Sequence, residues 1–426
     1  MAAYLIESNE SNLIANIQLP ASKSISNRAL ILNKVYAQIT GKSILLTNLS
    51  EAEDTKLMMA ALDQTEATIN VENAGTCLRF LSAYFAATPG CKITLTGNER
   101  MLQRPILPLV EALKNLGASI SYVDQDGCLP ISIEGTKLSG GTIEIDASQS
   151  SQFSSALMMI APLMKDPLSI QLKGEIVSKN YLDLTHKMLG DFGFESTISS
   201  DHTSISVSQA SKKIELDSYT IEADWSSAAF FYEAALLADK ADILLEALSL
   251  NSVQGDVVLA NYMNELGIRS LQKEKGVYLT KSKEYAGSNH SIDFTDCPDL
   301  APAIVCATAG IFLPFTANGI GSLAFKESDR IDALANGLKK LNFKVESSKA
   351  ELKHDGLQHS FYENKVIETH EDHRITMAFA MLAILQSNVV LSEIQSVQKS
   401  FPNFWIEAAK LGIKVRQTKA QKKEQH

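Results

Sequence analysis

Apolar positions along this chain fall into two alternating kinds of segment. The first kind is amphipathic, with apolar residues at three- and four-residue spacing, and stops at an apolar residue followed by Gly or Asn. Residues 109–116, 181–192, 257–266, 331–341 and 404–411 follow this pattern. Gly or Asn just past an apolar face supplies the left-handed turn that ends a helix, so these segments predict surface helices. Their stops (Gly117, Gly193, Gly267, Asn342 and Gly412) lie 76, 74, 75 and 70 residues apart. The second kind is rich in Ala, Leu, Met and Phe all round, with polar residues gathered at its start. Residues 24–36, 75–87, 151–164, 226–238, 299–309 and 373–385 belong here, and helices apolar on every side predict burial. From Gly75 onward their starts lie 76, 75, 73 and 74 residues apart. Short strand-like runs fall between, at 93–96, 169–172, 243–245 and 389–391.

Two series with one period predict six repeats of about 75 residues, each an α/β unit with a buried helix, a surface helix and several strands. The first repeat is shorter, with only 51 residues from Ser24 to Gly75. A chain of 426 residues exceeds the roughly 250–300 that one core serves, so three repeats in each of two domains is the expected organisation. The chemistry-bearing residues gather at the starts of the buried helices, where unpaired N–H groups and the helix dipole favour anions. Facing domains of this kind would form an anion-attracting cleft.

Composition narrows the class. With 45% hydrophobic and 21% charged residues the chain reads as globular, and a net charge of −10 argues against nucleic acid as partner. Five scattered cysteines, none in a C-x-x-C pair, favour free thiols in a reducing compartment. The start carries no signal-peptide pattern, and the longest uncharged apolar stretch, 303–315, is too short to span a bilayer. The expectation is a cytoplasmic protein without a membrane partner, with residues 415–426 a polar tail that frays from Gln417 onward.

Several motifs could grip anions. Lys23-Ser24 with Arg28 puts two cations and a hydroxyl at a helix opening, and Asn73-Ala-Gly75-Thr76 lets a ligand approach the backbone at Gly75. Ser150-Ser151-Gln152 and Ser178-Lys-Asn-Tyr181 offer hydroxyls and amides, while Arg104-Pro105 opens a surface helix. Asp296-Cys-Pro-Asp299, Lys326-Glu327-Ser-Asp-Arg330, Asp372-His373-Arg374 and Lys399-Ser-Phe-Pro402 supply further charge. Taken singly, each also reads as an ordinary cap or a solvated charged face. His370-Glu-Asp-His373 lacks the spacing of a metal helix, and Gly41-Lys-Ser43 lacks the first Gly of a P-loop.

In this order the motifs closely resemble the enolpyruvyl transferases of the 5-enolpyruvylshikimate-3-phosphate synthase type, the glyphosate target family, over residues 10 to 413. The resemblance implies two domains of three βαβαββ-like units, each around a pseudo-threefold (an inside-out α/β barrel), with the active site in the interdomain cleft. It places residues 21–221 in one domain and 1–20 plus 222–414 in the other. It implies shikimate 3-phosphate and phosphoenolpyruvate as substrates, a monomeric enzyme, and no cofactor, metal or covalent nucleophile. Shikimate 3-phosphate falls to Lys23, Ser24, Arg28, Ser150, Ser151, Gln152, Ser178, Asp299 and Lys326. Phosphoenolpyruvate falls to Lys23, Asn73, Gly75, Arg104, Gln152, Arg330, Arg374 and Lys399, with Asp372, His373 and Tyr181 in support. Asp299 is the implied base, and Lys23 or Glu327 the acid. The sister transferase acting on UDP-N-acetylglucosamine and a catalytically inactive binding subunit are the alternatives. The first would carry a Cys within residues 98–103, where none stands, and the second would have shed charged residues. Three departures from the family pattern are a shortened stretch before Asn73, Glu72 and Phe80 in place of Gly and Pro, and Ser322 in place of Asn.

Overall fold

The computed structural model describes residues 2–208, 215–282, 290–358, 365–385 and 388–418. The chain divides into two compact units, one of 1–20, 222–252 and 256–426, the other of 21–221 and 253–255. Each has its own apolar core. Val253–Gly255 group with the second unit and so depart from the domain limits expected above. Gly255 lies so close to Asn180 of that unit that a Cβ would come within 2.1 Å of the Asn180 Cβ.

One plan recurs. A strand leads into an apolar helix, a second strand returns parallel to the first, a surface helix follows, and a hairpin adds two antiparallel strands. Glu66–Asn70 and Lys92–Thr96 are such a parallel pair, joined through the helix Gly75–Ala86 and extended by Ile131–Glu134 and Ser119–Tyr122. Five sheets have four strands in this order. The sixth holds only Ser218–Thr220 and Leu45–Thr47, because the short first repeat supplies no hairpin. In the unit containing the termini, the hairpin place of the last sheet is taken by the two chain ends. Ala3–Glu7 and Lys414–Thr418 pair antiparallel beside Val389–Ser392. Residues 415–418 are therefore strand rather than tail, Gln417 and Thr418 included, because Ala3–Glu7 offers them a free edge; residues 419–426 lie outside the described residues.

The apolar helices form the centre of each unit. Lys23–Thr40, Gly75–Ala86 and Ser151–Ile160 pack on one another in one, and Trp225–Leu237, Ala301–Gly310 and His373–Met381 in the other. Every residue of Trp225–Leu237 and of Ala301–Gly310 is buried, as an all-round apolar surface requires. Side-chain oxygens of Ser22, Ser150, Asp224 and Asp372 cap four of the six starts, taking up N–H groups that the first turn leaves open. Among the described residues no helix is long and apolar enough to cross a membrane.

Candidate active site

In the unit of residues 21–221, three polar clusters form at the starts of the central helices. Lys23 opens its helix and donates to Asp54 across 2.8 Å, both side chains being largely buried. Asp54 comes from the helix Glu53–Leu62, which the apolar pattern misses because Asp63 rather than Gly or Asn ends it.

Arg28, one turn further on and 2% exposed, forms the second cluster. Its Nε donates to Thr185 Oγ1 (2.8 Å), one terminal nitrogen to the Ser24 carbonyl (3.0 Å) and the other to Ser155 Oγ (3.4 Å). The guanidinium also lies over the rings of Phe80 at 5.2 Å and Tyr181 at 5.5 Å. No carboxylate pairs with Arg28 among the described residues. Burial alone therefore dominates its ionisation and lowers its pKa to about 10, which leaves it a cation at neutral pH.

The third cluster gathers around Gly75. A Cβ there would stand 2.5 Å from the Arg79 guanidinium and 2.6 Å from that of Arg104, so any larger residue has to push both guanidinium ends aside. Arg79 donates to the Gly75 carbonyl (3.0 Å) and to Gln152 Oε1 (3.1 Å), and Gln152 Nε2 donates to Thr76 Oγ1 (3.1 Å). Sequence reasoning gives Gly75, Arg104 and Gln152 a role in binding but gives none to Arg79, which closes the motif that begins at Asn73. The signal was present, since Arg79 follows Gly75 by four residues and so lies on the same helix face. Asn73 and Ser151 are buried nearby in the chain, and Ser150 caps the Gln152 N–H. Ser178 takes φ 56° at the head of the helix Lys179–Asp191. Glu72 takes φ 48°, a conformation that glycine adopts most easily, and its side chain and N–H are held by Asn70. That accounts for the Glu found where the family pattern has Gly.

The other unit gathers its charges around Asp299. One carboxylate oxygen meets Arg330 at 3.0 Å and Lys326 at 3.4 Å, and the other meets Arg374 at 3.2 Å. Burial by itself would raise the Asp299 pKa. Arg374, Lys326 and Arg330 outweigh burial and hold the carboxyl well below the usual carboxylate range. Lys326 moves the other way, its pKa lowered by burial and only partly restored by Asp299. Arg330, 1% exposed, also donates to Glu327 (2.7 Å) and twice to Asp372 (2.8 and 3.2 Å). Burial alone would lower its pKa, but these carboxylates raise it. Asp372 is fully buried, accepts from Ser328 Oγ at 3.0 Å and caps the Arg374 N–H. His373 is buried with Nδ1 4.0 Å from Asp372, and half-buried Lys399 donates to the Glu371 carbonyl at 3.0 Å.

A further carboxyl, Asp256, was not anticipated. It is buried, accepts from Ser226 Oγ, and its pKa rises to about 6 through burial and the field of Asp299. Nothing local in Gln254-Gly-Asp256 marks it as more than a loop acid.

Comparison with known proteins bears on the chain as a whole. The family model described as EPSP synthase (3-phosphoshikimate 1-carboxyvinyltransferase) matches residues 62–407. A protein of Bacteroides fragilis strain YCH46 named 3-phosphoshikimate 1-carboxyvinyltransferase is 41% identical over 414 residues, spanning 97% of this chain and 98% of its own. One of Shewanella pealeana with the same name is 33% identical, over 91% of this chain and 95% of its own. A solved EPSP synthase structure from Acinetobacter baumannii superposes with a TM-score of 0.74 at 22% identity, covering 98% of this chain and all of that one, which speaks for the fold. A family model spanning most of the chain, with curated relatives aligned nearly end to end, shows that this chain belongs to the EPSP synthase (3-phosphoshikimate 1-carboxyvinyltransferase) family.

Proposed function

We propose that Asp299 acts as the general base of the family's reaction in this chain, with Lys23 or Glu327 as the acid. The reaction transfers the enolpyruvyl group of phosphoenolpyruvate to shikimate 3-phosphate in aromatic amino acid biosynthesis. In our reading the 5-hydroxyl oxygen bonds to C2 of phosphoenolpyruvate while Asp299 takes the hydroxyl proton. The acid delivers a proton to C3, giving a methyl group on a tetrahedral phosphate-bearing intermediate. Loss of a methyl proton and of phosphate then gives the enol ether.

The observation that carries this assignment is the setting of Asp299 among Lys326, Arg330 and Arg374. A carboxylate held far down by three cations is a weak base. Substrate carboxylate and phosphate groups would engage those cations and so return basicity to Asp299 once the ligands are in place. Arg330, Arg374, Arg104, Lys399, Asn73 and Gly75 are the phosphoenolpyruvate set of this reading. Ser24, Arg28, Ser150, Ser151, Ser178 and Lys326 form the shikimate 3-phosphate set, with Lys23 and Gln152 serving both ligands and Tyr181 and His373 supporting. Free buried thiols at Cys77, Cys91, Cys297 and Cys306 favour a reducing, cytoplasmic setting.

Phosphate release from the two substrates tests the assignment. Asp299→Ala should cut turnover by about 10²- to 10⁴-fold, the usual worth of a general base. Turnover within a few-fold of the parent would remove Asp299 from the role. Release with UDP-N-acetylglucosamine, and none with shikimate 3-phosphate, would replace the acceptor.

A further inference from the structure

A buried cation usually meets a carboxylate, as Arg330 does with Asp372, Glu327 and Asp299. Arg28 is equally buried and has none among the described residues. Three of its five N–H groups go to neutral oxygens of Thr185, Ser155 and Ser24. These acceptors fix the head group without cancelling its charge. The remaining compensation comes from π faces, and the nearer ring is Phe80 at 5.2 Å.

Phe80 is fully buried on the helix Gly75–Ala86, one residue beyond Arg79, and its ring is anchored by that helix rather than by a loop. An aromatic face attracts a guanidinium through its quadrupole and limits the tilt of the plane, yet carries no net charge. A carboxylate in its place would hold Arg28 more tightly and quench it toward an incoming anion. A proline or an aliphatic residue would leave one face without attraction.

We propose that Phe80 is a positioning residue: it orients the Arg28 guanidinium while leaving its charge available to the anionic groups of shikimate 3-phosphate. This rests on the reading above that Arg28 binds that substrate. Phe80 touches no substrate itself and acts through Arg28, so its removal weakens affinity for one ligand and leaves the chemical step alone.

The test is direct titration of shikimate 3-phosphate into the intact enzyme, with steady-state kinetics alongside, for Phe80→Leu, Phe80→Tyr and Arg28→Ala. Phe80→Leu should weaken shikimate 3-phosphate binding about 3- to 30-fold, the span of a desolvated cation–π contact. Phosphoenolpyruvate KM and kcat should stay within about twofold, and Phe80→Tyr should restore affinity. Replacing Phe80 by pentafluorophenylalanine keeps the ring shape but reverses its quadrupole, so it covers the case in which the Leu variant does not fold. That replacement should weaken binding at least as much. Unchanged affinity with the fluorinated ring, or a fall in kcat equal to the loss of affinity, would overturn the proposal. If Arg28→Ala itself leaves shikimate 3-phosphate affinity intact, the site reading fails; if it weakens binding while the Phe80 variants do not, only this inference fails.

Discussion

Glu233 should be a standing cost to the fold, and replacing it by Gln should stabilise the protein at neutral pH. It lies on the central helix Trp225–Leu237, is 0% exposed, and neither carboxyl oxygen has a hydrogen-bond partner among the described residues. Burial pushes its pKa well above the usual carboxylate range. The titratable neighbour it acts on is the Cys306 thiol, whose own pKa is raised by burial and then by Glu233. The folded chain therefore keeps Glu233 protonated where the unfolded chain ionises it. For such a group stability is full below the unfolded pKa of about 4.3 and is lost as pH rises toward the folded value. Each pH unit between the unfolded and the folded value removes about 1.4 kcal/mol of stability.

Gln keeps the shape and the unmet polar atoms but cannot ionise, so the comparison isolates the protonation term. Glu233→Gln should gain stability at pH 7, about 1.4 kcal/mol for each pH unit of the interval crossed, and almost nothing near pH 4. Both tryptophans, Trp225 and Trp405, belong to the same unit as Glu233, so tryptophan fluorescence during urea unfolding reads that unit selectively. A variant no more stable than the parent at pH 7, or a difference that does not grow between pH 4.5 and 8, would refute the reasoning.

His354 should act in the opposite sense. Burial lowers its pKa to about 4, so stability present above pH 6.5 falls as pH drops toward 4, by roughly 3 kcal/mol, and His354→Phe should flatten that acid limb in the same urea assay. Gly75→Ala should leave melting nearly unchanged, because flexible guanidinium ends can shift, yet raise the phosphoenolpyruvate KM about tenfold or more by displacing Arg79 and Arg104. Asp372→Asn should destabilise its unit by about 3 kcal/mol in the urea assay and lower kcat, since Arg330 loses its most buried carboxylate. An unchanged unfolding midpoint would show that Glu327 and Asp299 suffice to hold Arg330.

The repeat was legible because each device that marks it is local. Gly stops and Ala-rich runs are read within a dozen residues, and the helices beginning at Gly75, Ser151 and His373 start where the pattern puts them. What escaped the sequence is non-local. Ala3–Glu7 pairs with Val389–Ser392 nearly four hundred residues away, and nothing in either run names the other. Asp54 reads as a surface-helix acid until the fold brings it to Lys23. The seat of Arg28 is assembled from Phe80, Ser155, Tyr181 and Thr185, carried on three helices, so no motif could have contained it.

Arg28 and Arg330 show why residue type alone understates what each position does. Arg330 commits four of its five N–H donors to Asp372, Glu327 and Asp299, so one remains for a ligand. An anion arriving there must share the cation with carboxylates already paired, and it gains geometry more than charge. Arg28 commits three donors to neutral groups, and its pKa of about 10 records a burial cost that no carboxylate among the described residues offsets. An anion arriving at Arg28 relieves that cost without breaking an ion pair. Lysine should therefore fail at the two positions for different reasons. At Arg330 it loses the planar fork that spans three carboxylates, whereas at Arg28 it keeps the charge but loses the flat face that Phe80 and Tyr181 hold.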